Sequence, residues 1–180
     1  MLAGRTIARE KRRPLLVRVA NAIGKLGLWA FTPVFGRQYG RFLRLRGLAE
    51  QAFERGKFVE AATLAEELLA TSEKYRDDWN YGNALHAAHI LLGRIRLKNG
   101  SMEEASEHLL MAGRTPDSPQ LNSFGPNMRL AMELINIGER AAVLRYFDLC
   151  RQFWPVGNDR LNLWSSQVLE GEQPDFGPNL

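Results

Sequence analysis

Apolar residues recur every three or four positions along most of the chain, and no stretch alternates between apolar and polar residues. The first pattern is typical of helices that pack on one face, whereas sustained alternation would indicate strands. Predicted helices cover residues 38–55, 58–74, 77–99, 101–112, 126–137, 140–153 and 159–170. The pattern therefore predicts an all-α fold.

Three glycines, each at the end of an apolar-periodic stretch, align the chain with itself. A large apolar residue and a small one lie eight and seven positions before each of Gly56, Gly100 and Gly138, and an alanine or valine lies five positions after each. Two positions after the glycine, the first two copies have an apolar residue. Small residues let two short antiparallel helices approach closely, and glycine permits a left-handed turn between them. The third copy departs from the pattern only at Arg140. The alignment predicts three helical hairpins.

These hairpins resemble tetratricopeptide repeats over about residues 42–153. The glycines are 44 and 38 residues apart, against a usual period of about 34, so the helices or loops must be longer than usual. The segment Ser-Pro-Gln-Leu-Asn-Ser-Phe-Gly-Pro-Asn at 118–127 also resembles one in a group of uncharacterised bacterial proteins with tetratricopeptide-like folds. The resemblance implies a fold and a bacterial origin, and it implies no reaction.

In arrays of this kind the first helix of each pair lines a concave surface that binds peptides or proteins. Carried onto this chain, the resemblance implies a groove lined by Arg46, Glu50, Phe53, Glu54, Ile90, Arg94, Leu97, Lys98, Met128, Met132, Ile135 and Asn136. The Lys and Asn pattern with which family members clamp a peptide carboxyl terminus is absent. The mixed, rather apolar set favours an amphipathic helix of a partner, or the chain's own N-terminal helix, as the occupant.

The stretch from 113 to 127 is a second candidate for partner binding. Thirteen residues, 113–125, separate two predicted helices, and long loops in compact helical proteins are often functional. The candidate side chains are Gln120, Asn122, Ser123 and Asn127. In the alternative interpretation, Leu121 and Phe124 fix the loop over the helix ends while Asn122 and Ser123 bond to backbone groups.

The sequence Phe-Gly-Pro-Asn occurs twice, at 124–127 and again at 176–179. A long apolar residue follows each copy. The recurrence predicts that the tail docks as a second copy of the loop, on this chain or on a neighbouring one.

Charge divides the chain into two parts. Of the net charge of +4, residues 1–47 contribute +10, from eleven Lys and Arg against one Glu, and the remaining 133 residues contribute −6. Basic charge alone gives non-specific affinity for phosphate, and no nucleic-acid recognition motif accompanies it. Nucleic acid is therefore not an expected partner.

The basic part contains a predicted amphipathic helix, from Pro14 to about Ala30. Candidate residues for binding an anionic membrane surface are Arg12, Arg13, Arg18, Lys25 and Trp29. The longest uncharged run, 26–36, has eleven residues, about half the length that a membrane-spanning helix needs. The helix either lies on a membrane surface or packs on the repeats.

No group of residues in the sequence points to catalysis. His86, His89 and His108 lie on two successive helices at a spacing that could ligate zinc, but no carboxylate or thiolate is in register, so we expect interhelical hydrogen bonds. Cys150 occupies a packing position between aromatic residues, and we expect a buried, unreactive thiol. The sequence predicts no catalytic residue, no metal site and no cofactor.

These observations predict three parts: a basic amphipathic segment at 1–37, a tetratricopeptide-like domain at 38–171 and a tail at 172–180. The predicted function is that of a non-catalytic, cytoplasmic interaction or scaffold module, which binds a peptide or protein through the concave face or the 113–127 loop. The alternative is a peripheral membrane protein attached through its N-terminal helix.

Overall fold

A computed structural model describes residues 36–180. The chain divides into two compact units, Met1–Arg41 and Phe42–Leu180, and the description below concerns the second. The helices are α1 (36–54), α2 (Phe58–Ser72), α3 (Tyr81–Lys98), α4 (Met102–Gly113), α5 (Pro119–Phe124), α6 (Arg129–Asn136), α7 (Ala141–Cys150) and α8 (Asn158–Leu169). Single 3₁₀ turns cover Glu73–Tyr75, Pro155–Gly157 and Gly177–Asn179. The described residues form no strand, which confirms the predicted all-α class.

The three aligned glycines form the same turn. Gly56, Gly100 and Gly138 have φ angles of 74°, 84° and 90°. In each turn the glycine N–H and the N–H of the next residue bond to carbonyl groups in the last helical turn; Lys57, for example, donates to Ala52 at 2.9 Å. This pair of hydrogen bonds satisfies carbonyl groups that a helix end otherwise leaves free, and it requires a residue in the left-handed conformation. The predicted role of these glycines is confirmed.

Helix α3 lies at the centre of the packing. It contacts α2 and α4 and also α6, and α4 in turn contacts α7, which carries α8. The largest buried cluster consists of Ile90, Ala105, Leu109, Ala112, Leu121, Met128, Leu130, Ala131, Leu134, Ile135, Val143, Tyr146, Phe147, Cys150, Phe153, Trp154, Leu161, Trp164, Val168 and Phe176. The small residues in this set allow the close helix contacts that the repeat pattern predicted. None of the described helices is both long and apolar enough to cross a membrane.

The largest differences from the sequence prediction are two later helix starts and one additional helix. Helix α3 begins at Tyr81 rather than at 77, because the Asp78 carboxylate accepts the N–H of Asn80 at 2.9 Å and holds a turn there. Helix α6 begins at Arg129 rather than at 126. The long predicted loop contains α5, whose first N–H groups are capped by the Ser118 hydroxyl, an acceptor from Leu121 at 3.2 Å.

Gly93 marks the closest approach of α3 to its neighbours. A Cβ added there would collide with the Leu130 side chain and lie 3.1 Å from Cβ of His108 and 3.2 Å from the carbonyl oxygen of Ala105. Only glycine fits between α3, α4 and α6 at this point.

We predict that Gly93→Ala lowers the free energy of unfolding by about 1–3 kcal/mol, because overpacking outweighs the better helix propensity of alanine. Gly47→Ala is the matched control: it is also helical, and a Cβ there meets nothing within 4 Å, so it should stabilise by about 0.5–1 kcal/mol. Urea denaturation of both variants measures the difference. Stabilisation by both substitutions would contradict the close packing at Gly93.

Candidate functional site

Helices α1, α3 and α6 line a groove of about 540 Å³. Its walls are Phe53, Glu54, Gly56, Phe58, Arg94, Lys98, Arg129, Met132, Glu133 and Leu180. A shallow depression continues it along α3, between Arg46, Glu50, His86, Ala87, Ile90, Leu91, Arg94, Asn127 and Arg129. We call these two contiguous regions the groove. It is formed mainly by side chains of α1, α3 and α6, together with Phe58 of α2 and Leu180.

Most of the groove positions expected from the sequence lie in these walls, but four do not. Met128 and Ile135 are buried in the core, so their placement on the groove was wrong. Leu97 packs against the core cluster, and Asn136 is exposed outside the lining residues.

The α6 contribution comes instead from Arg129 and Glu133, together with Met132. The buried positions Leu130, Ala131, Leu134 and Ile135 define the core face of α6. Their three-to-four spacing is visible in the sequence and could have set this phase, because positions 129, 132 and 133 fall on the opposite side.

Two ion pairs hold the groove walls. Arg46 Nε lies 2.9 Å from Glu50 Oε1, and an Arg94 guanidinium nitrogen lies 2.8 Å from Glu133 Oε1. The Arg94 guanidinium also lies over the Phe53 ring, 4.5 Å from its centroid, a favourable cation–π geometry. Arg94 therefore fastens α3 to both α1 and α6.

Lys98, Arg129 and Glu54 form no ion pair with another described residue. The apolar floor beside them consists of Phe53, Phe58, Met132 and Leu180. The groove thus offers apolar surface edged by two uncompensated cations and one acid.

A second depression, of about 330 Å³, adjoins the groove. Its lining residues are Arg46, Asn83, His86, Gln120, Leu121, Phe124, Gly125, Pro126, Asn127, Pro178, Asn179 and Leu180. We call it the polar cleft. It is formed by α1, α3, the 118–127 segment and residues 178–180.

His86 is buried beneath the polar cleft and is fully bonded. Its Nδ1–H donates to the Ala112 carbonyl oxygen at 3.0 Å, and its Nε2 accepts the N–H of Asn127 at 3.0 Å. The pKa of His86 is lowered to about 4, chiefly by burial and to a smaller extent by the nearby charge of Arg46. The imidazole is neutral at pH 7, and both of its nitrogens are used in holding α3, α4 and α6 together.

A chain of hydrogen bonds runs from the backbone to Gln120. The Leu121 N–H donates to Ser118 Oγ, Ser118 Oγ donates to Asn83 Oδ1 at 2.8 Å, and Asn83 Nδ2 donates to Gln120 Oε1 at 2.7 Å. Gln120 Oε1 is therefore occupied, and Gln120 Nε2 is left free.

The other loop candidates have different surroundings. The Asn122 amide nitrogen faces the carbonyl oxygens of Phe153 at 2.7 Å and Ser118 at 3.2 Å, as in the backbone-bonding interpretation. Ser123 is exposed. Asn127 Oδ1 accepts the N–H of Arg129 at 2.9 Å. Phe124 does not fix the loop over the helix ends, because 77% of its surface is exposed.

The second Phe-Gly-Pro-Asn copy docks on the first within the same chain. Asn179 Nδ2 donates to the carbonyl oxygens of Phe124 at 2.9 Å and Pro126 at 3.0 Å, and the Met128 N–H donates to the Asn179 carbonyl at 2.7 Å. Phe176 is buried. The two copies are not equivalent, since the first phenylalanine is exposed and the second is part of the core.

The remaining candidate chemical groups form packing contacts. His89 and His108 form an interhelical hydrogen bond, with their Nδ1 atoms 3.1 Å apart, as predicted. The described residues hold no group of three or more side chains arranged to bind a metal ion. Cys150 is buried, and burial raises the pKa of its thiol well above the ordinary value, which agrees with the predicted unreactive thiol.

The candidate membrane-surface residues Arg12, Arg13, Arg18, Lys25 and Trp29 lie outside the described residues.

Comparison with protein-family models, curated proteins and solved structures finds no match to this chain.

We predict that the stability of the protein falls as the pH is lowered from about 6.5 to 4, in part through His86. An unfolded histidine has a pKa near 6.5 and the folded one about 4, so in this window the unfolded state binds more protons. At 1.36 kcal/mol per unit, the contribution of His86 approaches about 3 kcal/mol at pH 4.

His86→Phe removes this contribution. The variant should be less stable at pH 7 by about 1–3 kcal/mol for each main-chain group that it leaves unpaired, and its stability should fall less steeply toward pH 4 than that of the wild type. Urea titrations at several pH values measure both effects. Parallel pH profiles for the two proteins would contradict a neutral, buried His86.

We predict that Asn179→Ala lowers the free energy of unfolding by about 1–3 kcal/mol, because it leaves two carbonyl groups near the loop without their donor. Asn136→Ala is the matched control, because Asn136 is exposed and forms no hydrogen bond to a described residue; it should change stability by less than about 0.5 kcal/mol. Equal effects of the two substitutions in thermal denaturation would show that Asn179 does not hold the loop.

Proposed function

We propose that this protein is a tetratricopeptide-like interaction module whose groove binds an amphipathic helix of a protein partner, without catalysis. Two features support the architecture: the three glycine turns share one geometry, and α1, α3 and α6 all line the groove. The observation that carries the function is an apolar floor edged by Lys98 and Arg129, which have no ion-pair partner among the described residues.

An amphipathic helix fits this surface better than an extended strand. The groove is lined by side chains of three helices and offers no strand edge to which a peptide could add, whereas a helix can place apolar residues from one face on Phe53, Phe58 and Met132. The rim cations then favour acidic residues at the edges of that face.

Charge also favours an external partner over the chain's own N-terminal segment. Residues 1–35, which precede α1, carry a net charge of +6, and the groove rim carries two uncompensated cations against Glu54 alone. Like charges across an interface oppose binding. The occupant that complements this rim is acidic.

The floor is held in place before any partner binds. Arg94 pairs with Glu133 and stacks on Phe53, which links the three groove helices and fixes the position of the Phe53 ring. A preformed floor reduces the ordering cost of binding.

We predict that a photoreactive benzoylphenylalanine at Met132 forms an adduct with a partner in lysate, and that Lys98→Glu combined with Arg129→Glu reduces the adduct at least about tenfold by reversing the rim charge. The same photoreactive residue at Val59, which is exposed on α2 outside the groove, is the site control. Arg160→Glu is the charge control, because Arg160 is exposed and lines neither the groove nor the polar cleft.

Mass spectrometry of the adduct identifies what occupies the groove. An adduct within one chain, between position 132 and residues 14–30, would contradict an external partner. An adduct that forms equally from position 59, or that survives the charge reversal, would contradict binding in the groove.

A further inference from the structure

The polar cleft offers hydrogen-bond donors, while its side-chain acceptors are either already occupied or shielded from solvent. Asn83 Oδ1 accepts from Ser118, Gln120 Oε1 accepts from Asn83, and Asn127 Oδ1 accepts the N–H of Arg129. His86 Nε2 accepts the N–H of Asn127. Asn179 Oδ1 has no hydrogen-bond partner, but it is shielded from solvent. A ligand that enters the cleft meets no free side-chain acceptor among these residues.

Three sets of donors remain. Gln120 Nε2 and Asn127 Nδ2 form no hydrogen bond to a described residue. Arg46 uses Nε in its pair with Glu50, so the two terminal nitrogens of its guanidinium group are available. No residue in the cleft lining is acidic, and His86 is neutral. The cleft therefore suits an acceptor-rich group with negative charge.

Part of the lining of the polar cleft is apolar. It is formed by Phe124, which is 77% exposed, with Pro126, Pro178 and Leu180. An exposed aromatic side chain beside prolines offers a surface on which a flat apolar body can pack. The volume of about 330 Å³ lies within the range typical of small-ligand sites.

We propose that the polar cleft binds a carboxylate attached to an apolar body. Arg46, Gln120 and Asn127 donate to the carboxylate, and Phe124, Pro178 and Leu180 contact the body. The carboxylate belongs either to a free organic acid or to the carboxyl terminus of a peptide, and the two sources share this chemistry. Arg46, Asn127 and Leu180 line both the polar cleft and the groove, but Lys98 and Arg129 line the groove alone. Substitution of Lys98 and Arg129 therefore tests the groove separately from carboxylate binding in the cleft.

The test uses ¹⁵N NMR titration of the full-length protein with 3-phenylpropionate and, separately, with the peptide N-acetyl-Ala-Phe. Each has its neutral amide as a control. We expect shifts at the amides of residues 118–127 and 176–180, with a Kd on the order of 1 mM for the better ligand and at least about tenfold weaker binding of its amide, about 1.4 kcal/mol.

Two substitutions address the donors without disturbing the core. Gln120→Glu keeps the oxygen that accepts from Asn83 and replaces the free amide nitrogen by a carboxylate oxygen. Arg46→Gln changes a side chain that is 53% exposed. Each should weaken carboxylate binding at least about tenfold. Arg44→Gln, on the same helix and exposed outside the cleft lining, should leave it unchanged.

The outcomes separate the possibilities. Peptide binding at least about tenfold tighter than that of the free acid identifies a peptide terminus, and equal or weaker peptide binding identifies an organic acid. Equal binding of acid and amide, unchanged binding in both donor variants, or no shifts at 118–127 would overturn the proposal. The combined Lys98→Glu and Arg129→Glu variant should retain carboxylate binding even if it loses the groove partner.

Discussion

His86 is the constraint on which the rest of the described fold depends, because one ring satisfies two main-chain groups from different parts of the chain. The Ala112 carbonyl near the end of α4 needs a donor, and the Asn127 N–H before α6 needs an acceptor. A neutral imidazole supplies both, whereas a protonated ring has only donors. The packing of the three helices at this position therefore requires that the His86 ring be uncharged.

The two depressions follow from this junction. With Asn127 held against α3, the 118–127 segment forms one wall of the polar cleft, and α6 places Arg129 and Met132 in the groove. The Asn83 to Gln120 hydrogen bond fixes the same segment from the other side. The hydrogen bonds that hold this segment in place thus also determine which side-chain donors and acceptors remain available to a ligand.

Sequence patterns predicted what depends on local interactions. The glycine turns and most helix boundaries follow from propensity and periodicity. Helix α5 was missed although Ser118 and Pro119 form a recognisable helix start, because two prolines and many polar residues favoured a loop. Met128 and Ile135 lie in the core and not on the groove, because the spacing of the apolar residues in and beside α6, and not the alignment with the family, determines which side chains face inward. The bonds of Asn179 join distant parts of the chain, and only the repeated Phe-Gly-Pro-Asn pattern hinted at them.

The bond from Met128 N–H to the Asn179 carbonyl connects the start of α6 with the end of the described chain. Native proteins open in parts, and each part has its own free energy. Release of residues 177–180, which follow the buried Phe176, would take the acceptor away from this amide without removing a side chain of the core cluster. The hydrogen-exchange protection of Met128 therefore reports a local opening equilibrium of the carboxyl-terminal segment, separate from global unfolding.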